Sequence, residues 1–208
     1  MTHSKFFITG ISTEVGKTIV SAIVTEALEA DYWKPIQSGD LDNSDSDKIE
    51  RLISNPKTKI HPNSYALKTP MSPHAAAEID GVRIEAGKIT APEVSGDLVI
   101  EGAGGLLVPL NDTETIADLI KPDYKVLIVS RNYLGSINHT LLTIEALKQR
   151  GAQVKGIIIS GDENPSTERI IGKMGKIPIL GRVAEESFFD KAVVKKYAEM
   201  FSPVLRAL

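Results

Sequence analysis

Apolar residues fall into two alternating kinds of run along the chain. Residues 5–9 (KFFIT), 98–100 (LVI), 125–129 (KVLIV), 154–159 (VKGIII) and Ile179–Val183 (ILGRV) are short, mostly aliphatic or β-branched stretches without polar alternation. Strands buried on both faces of a parallel sheet read this way. Between them lie stretches with a helical period. In residues 18–29, Ile19, Ile23 and Ala27 form a stripe flanked by Val20, Val24 and Leu28. Residues 137–150 predict a second helix, stopped by Gly151, and residues 190–208 a terminal one. Ser72-Pro73 marks a helix start, with Ser72 as N-cap and proline at the first helical position. Residues 32–36 (YWKPI) read as a further short strand, and the polar, acidic residues 39–47 as a mobile loop. The alternation predicts an α/β fold, a parallel sheet with helices on both faces. No linker divides the 208 residues, so one domain is expected over 1–208.

Composition narrows the chemistry. Hydrophobic residues make up 42% and charged residues 25%, with a formal net charge of −3. This is a globular chain with no general basic character that would favour nucleic acid. The absence of cysteine removes disulfides, thiolate nucleophiles and zinc–thiolate sites. No apolar run approaches membrane-span length, and the first ten residues lack the pattern of a signal peptide. A soluble cytoplasmic protein is expected, with neither nucleic acid nor membrane as partner.

The sharpest local signal follows the first strand: Gly10-Ile-Ser-Thr-Glu-Val-Gly16-Lys17-Thr18. A strand, a glycine turn and a helix in succession make a phosphate-binding loop. Backbone N–H groups and the helix N-terminus face the phosphate, Lys17 reaches the terminal phosphates, and the Thr18 hydroxyl can ligate Mg²⁺. Five residues separate the glycines where the usual motif has four. The plainer alternative is a glycine turn feeding a helix capped by Ser12 or Thr13.

Magnesium takes oxygen ligands, commonly one or two carboxylates beside phosphate and water. Glu101 ends an apolar run and opens the turn Gly102-Ala103-Gly104-Gly105. An acid at the carboxyl end of a buried strand faces the crevice where α/β proteins bind ligands. A second acid comes from Asp42, Asp45 or Asp47, although Asp47 also reads as a helix N-cap. Lys34, near the end of its short strand in Lys34-Pro-Ile-Gln-Ser38-Gly39, can aim at the same crevice as Lys17. Two cations beside one phosphate would neutralise the charge of phosphoryl transfer. On this segment alone, a surface lysine remains an alternative.

Together these segments resemble the dethiobiotin synthetase family. Gly10 to Thr18 with its extra residue, Lys34-Pro-Ile-Gln-Ser38-Gly39, Ser72-Pro73-His74, Glu101-Gly-Ala-Gly-Gly105 and Leu134-Gly-Ser-Ile-Asn-His139 occur in the family's order. The match covers residues 5–143 and is looser beyond. The resemblance implies a P-loop ligase that uses ATP and Mg²⁺ to convert 7,8-diaminononanoate and CO₂, or bicarbonate, to dethiobiotin. The route runs through a carbamate and a carbamic–phosphoric anhydride. It implies Thr18, Asp47 and Glu101 as metal ligands. Glu14, Val15, Gly16, Lys17, Thr18 and Ile19 would hold nucleotide, with Gly102, Ala103 and Gly104 beside it. Lys17 and Lys34 would be catalytic, and Thr13, Lys34 and Ser38 would contact substrate. Gly135, Ser136, Ile137 and Asn138 would bind its carboxylate end across a homodimer interface.

Two departures touch the nucleotide base. The family often carries an Asn–Asp pair where this chain has Ser160-Gly161-Asp162, and a proline-containing run where it has Arg182-Val-Ala-Glu185. Two competing readings are weaker. A cobyrinate-type amide synthetase would be expected to bring a cysteine-dependent glutaminase domain, and a partitioning or division ATPase a second lysine in the phosphate loop.

Overall fold

The computed structural model describes residues 3–208. The chain runs through β1 (Lys5–Gly10), α1 (Lys17–Leu28), β2 (Asp31–Trp33), β3 (Ile36–Ser38), α2 (Asp45–Leu52), β4 (Ile60–His61) and β5 (Tyr65–Leu67). It continues through α3 (Pro73–Ile79), β6 (Leu98–Gly105), β7 (Tyr124–Arg131), α4 (Ser136–Gln149), β8 (Gln153–Ser160), α5 (Pro165–Gly175), β9 (Ile179–Val183) and α6 (Lys191–Arg206). Seven strands form one sheet in the order β4-β2-β6-β1-β7-β8-β9, and every neighbouring pair is parallel. Helix α1 packs on α6, and α4 on α5. The expected α/β architecture is therefore the observed one.

Burial explains why the strands are aliphatic. Phe7, Ile8, Val99, Val126, Leu127, Val129 and Ile157–Ile159 are inaccessible to solvent, so both faces of the central strands are covered. β1 lies between β6 and β7, with Phe7 opposite Ile100 on one side and Val126 on the other. From β1 the chain crosses through α1 to β2 and β4 on one side of the sheet, returns to β6 beside β1, and then fills the other side with β7, β8 and β9. Its crevice thus opens at the carboxyl ends of β1 and β6, where such folds bind ligands.

Two expectations are corrected. Residues 32–36 do not make one strand: β2 stops at Trp33, and the chain passes through Lys34 and Pro35 into β3, which pairs with β5 in a separate two-stranded sheet. Proline has no N–H for a ladder, and a break there is its usual consequence. The Pro35 carbonyl instead accepts from the Ser64 and Tyr65 N–H groups. Residues 39–47 are also folded rather than loose. A single turn of 3₁₀ helix covers Leu41–Asn43, and α2 begins at Asp45. Ser44 and Asp47 cap α2 reciprocally, each side chain accepting from the other's backbone N–H.

Candidate active site

β1 delivers the chain to the glycine turn, and the Ile11 N–H fastens it to the Val129 carbonyl at 3.1 Å. Gly16 has a φ of 89°, and a Cβ there would lie 2.5 Å from Ser160 Oγ. Only glycine fits both the left-handed backbone and this close approach. No side chain caps α1, so neither Ser12 nor Thr13 serves as its N-cap, and its first N–H groups are free to meet an anion. The Lys17 side chain folds back across the loop, its Nζ donating to the Ser12 carbonyl at 3.0 Å. Strand, turn, free helix end and lysine together build an oxyanion cradle.

Beside this cradle is a cleft of 780 Å³. Glu101, 1% exposed, is its electrostatic centre. Glu101 Oε1 accepts from Thr18 Oγ1 at 3.0 Å and from Lys34 Nζ at 3.1 Å, while Oε2 accepts from the Tyr32 hydroxyl at 2.9 Å. Lys34 Nζ also donates to Asp45, which receives Lys48 at 3.1 Å on its other oxygen. The two lysines sit in opposite electrostatic settings. Burial pushes the Lys17 ammonium down to about 8; Glu101 resists this and nearby Lys34 adds to it. Burial also acts on Lys34, but the carboxylates of Glu101 and Asp45 outweigh it and raise its pKa. Burial likewise opposes ionisation of Asp45, yet Lys34 and Lys48 hold it below the usual carboxylate range.

The structure sorts the expected residues. Thr13, Glu14, Gly16, Lys17, Thr18, Ile19, Lys34, Ser38, Glu101, Ala103 and Gly104 line the cleft. Val15 is buried beneath the loop, and Gly102 packs close to Phe7 and Ile116. Ser38 Oγ is buried with no protein partner. Asp47 does not join the acids of the cleft. Its carboxylate accepts from the Ser44 N–H and hydroxyl, both at 2.7 Å, and is spent on the helix cap. The acid brought to Lys34 is Asp45, one of the three sequence candidates. Gln37, Arg131 and Tyr32 join the site without a place among the sequence candidates. Gln37 Oε1 accepts from the Asp45 N–H at 3.3 Å, and Arg131 lines the cleft while pairing with Glu185 at 3.0 Å. Their only sequence signal is a polar residue inside or at the end of an apolar strand.

Oxygen donors suit a hard divalent cation. The carboxylates of Glu101 and Asp45 meet at Lys34 Nζ, and the Thr18 hydroxyl reaches the same Glu101 oxygen. The described residues hold no group of three or more His, Asp or Glu side chains able to bind a metal. An ion here would therefore complete its shell with phosphate oxygens and water, as Mg²⁺ does.

Gly135, Ser136, Ile137 and Asn138 lie apart from this cleft, at the turn from β7 into α4. Gly135 has a φ of 101° and, like Gly16, starts a helix without a side-chain cap. Around it the apolar side chains of Leu134, Ile137, Leu142 and Leu107 are exposed, Leu134 completely. A groove of 340 Å³ runs from the phosphate loop at Ser12 and Thr13 past Leu107 to His139 and Leu142 of α4.

Comparisons with known proteins agree with this geometry. A family described as an AAA domain matches residues 4–192. The ATP-dependent dethiobiotin synthetase of Christiangramia forsetii is 64% identical, covering 94% of this chain and 95% of its own. That of Cytophaga hutchinsonii is 54% identical over 93% of this chain and 95% of its own. Among solved structures, the cell division ATPase MinD of Pyrococcus furiosus superposes with a TM-score of 0.62, covering 98% of this chain and all of its own. At 12% identity that likeness shows the fold alone. A fold shared with a division ATPase thus carries, in this chain, one phosphate-loop lysine and the sequence of a biosynthetic ligase: the chain belongs to the ATP-dependent dethiobiotin synthetases.

Proposed function

We propose that this ligase joins CO₂ to the two amines of 7,8-diaminononanoate within the Glu101 cleft, through a carbamate and a carbamic–phosphoric anhydride. The observation that carries the reading is the convergence of Lys17 and Lys34 on one cleft that also holds Thr18, Asp45 and Glu101. The phosphate loop holds the ATP triphosphate with backbone N–H groups from Glu14 to Thr18. Lys17 neutralises the transferring phosphoryl group, and Lys34, kept charged by its carboxylates, orients the carbamate. Ser38, whose hydroxyl has no protein partner, takes a polar group of the substrate. Thr18, Glu101 and, in place of Asp47, Asp45 hold Mg²⁺. When bound, the ion neutralises phosphate charge.

The atoms balance in three steps: one amine first adds to the carbon of CO₂ and loses a proton, giving the carbamate. A carbamate oxygen attacks the γ-phosphorus and ADP leaves. The second amine then attacks the carbonyl carbon, loses a proton and breaks the C–O bond, so phosphate departs with an oxygen that entered as CO₂. Enzyme supplied with ¹⁸O-labelled CO₂ is expected to release phosphate carrying one ¹⁸O per turnover. Unlabelled phosphate, measured by mass spectrometry before the label exchanges with water, would sink this route.

The far end of the substrate points to an assembly. An extended diaminononanoate spans about 10 Å, enough to need a second anchor beyond the phosphate loop. The Ser136 N–H is taken by the Tyr133 carbonyl, but the Ile137 and Asn138 N–H groups that follow suit the carboxylate, and the exposed Leu107, Leu134, Ile137 and Leu142 suit contact with a second copy of the chain. We infer a homodimer in which this turn serves the partner's cleft. The chain acts as one ATP-binding unit over 1–208, and the cytoplasm is its place. Ser160 turns its hydroxyl to Gly16, so base selectivity is looser than with an Asn–Asp pair.

A further inference from the structure

Tyr32 stands in β2 opposite Val99 of β6, with Leu98 and Ile100 on either side of that partner. It is completely buried. Packing alone would be met by a phenylalanine, yet the ring carries a hydroxyl, and that hydroxyl ends 2.9 Å from Glu101 Oε2. A carboxylate oxygen has no proton to give, so the phenol donates and Glu101 accepts. The two oxygens of Glu101 thus do different work. Oε2 is held in the core by Tyr32, whereas Oε1 meets Thr18 and Lys34.

We propose that Tyr32 is a positioning residue: its hydroxyl holds Glu101 Oε2 back, leaves Oε1 alone for the cleft, and so favours an ion that takes one carboxylate oxygen over one that takes both. This rests on the reading that Glu101 serves a divalent cation. Mg²⁺ demands near-ideal octahedral geometry and binds through few carboxylate oxygens, whereas Ca²⁺ accepts bidentate carboxylates and more ligands. Tying one oxygen to a buried donor selects against the bidentate mode. Donors behind a ligating group also fix its orientation, and their loss typically weakens metal binding by about 10- to 100-fold.

The test is Mn²⁺ binding to the protein saturated with a non-hydrolysable ATP analogue, read from loss of the free-ion EPR signal. Nucleotide alone is the blank, and Mg²⁺ and Ca²⁺ are the competitors. Wild type, Tyr32→Phe and Glu101→Gln are compared, each with a thermal melt. In Tyr32→Phe, Mg²⁺ is expected to compete about tenfold less well, with Ca²⁺ undiminished, so the Mg²⁺:Ca²⁺ preference falls about tenfold. A partly unfolded population lowers both affinities alike and leaves this ratio unmoved, so the ratio separates positioning from stability. An unchanged ratio in Tyr32→Phe, while Glu101→Gln weakens binding, overturns the role of Tyr32 and leaves the ion site standing. Binding unaffected by Glu101→Gln overturns both.

Discussion

Two turns in this molecule are built alike and finished differently. Gly10 to Lys17 and Leu134 to Ser136 each lead a buried parallel strand into a helix, and each places a left-handed glycine at an uncapped helix start. Around Gly16 the turn is closed by its own chain. Ser160 crowds the glycine, Lys17 crosses to Ser12, and Glu101 and Lys34 fill the side. Around Gly135 the chain supplies almost nothing: a Cβ on this glycine would meet only His139 Cε1, at 3.9 Å, and Leu134 is bare. Local geometry leaves a helix start without a side-chain cap in both places. In the proposed function, the surroundings decide whether that end is a self-contained cradle or an anchor that needs something brought to it.

The largest effect should come from removing the side chain that closes the first turn. Lys17→Ala is expected to lower kcat about 10³-fold, with a melting temperature no lower than wild type, since a buried charge is removed. Near-normal dethiobiotin formation from diaminononanoate, bicarbonate and ATP would dismiss the cradle. Next come the two acids. Asp45→Asn should raise the Mg²⁺ concentration for half-maximal rate about tenfold or more. Asp47→Asn keeps an oxygen for Ser44 and should leave the Mg²⁺ titration as it is. The reverse order would show that the cap, not the cleft, holds the ligand.

The second turn is tested by mixing. Gly135→Trp finds room at Cβ but strains a backbone at φ 101°, so a thermal melt first shows that it folds; its indole then covers the Ile137 and Asn138 N–H groups. Subunits bearing Gly135→Trp and Lys17→Ala are each inactive; with half the dimers mixed, activity should return to about a quarter of wild type per subunit. No recovery after proven subunit exchange would mean that each chain binds its whole substrate. The smallest effect is electrostatic and belongs to the first turn alone. Free Lys17 titrates near 8 because burial favours its neutral form, and a bound triphosphate favours the charged form. Binding an ATP analogue at pH 8 should therefore take up about half a proton, as measured by calorimetry in buffers of different ionisation enthalpy. Lys17→Met should abolish that uptake. The same shift acts on stability. The folded-state pKa lies below that of the unfolded chain, so the free protein should gain stability as pH rises from about 8 to 10.5. Below about 8 the cost of the buried charge is fully present.

How far the sequence reveals this depends on how local each cause is. The central strands are legible because burial on both faces leaves unbroken aliphatic runs, and the run Ile179–Val183 has the bounds of the observed strand. The phosphate loop is legible because its glycines, lysine and threonine are contiguous. Pro35 announces the break between β2 and β3, and the pattern Ser44-x-x-Asp47 before Ile49 announces the capping box. Both signals are present, but each is masked by a stronger impression of strand or loop around it. The choice between Asp45 and Asp47 depends on that box: once Asp47 caps the helix, Asp45 turns to Lys34. Tyr32 and Gln37 show in the sequence only as polar groups inside or at the end of apolar strands. Their hydroxyl and amide meet Glu101 and Asp45 only after distant segments pack, Tyr32 and Glu101 being 69 residues apart.

The central place of β1 has a consequence for synthesis on the ribosome. β1 is made long before either of its neighbours, β6 and β7, and the loop that follows it rests against Ser160, later still in the chain. A nascent chain that has not yet emerged past Ser160 carries the complete glycine motif but no wall to set it against. Nucleotide affinity should therefore appear late and abruptly during translation, which makes ATP binding a report that most of the sheet has assembled rather than an aid to assembling it.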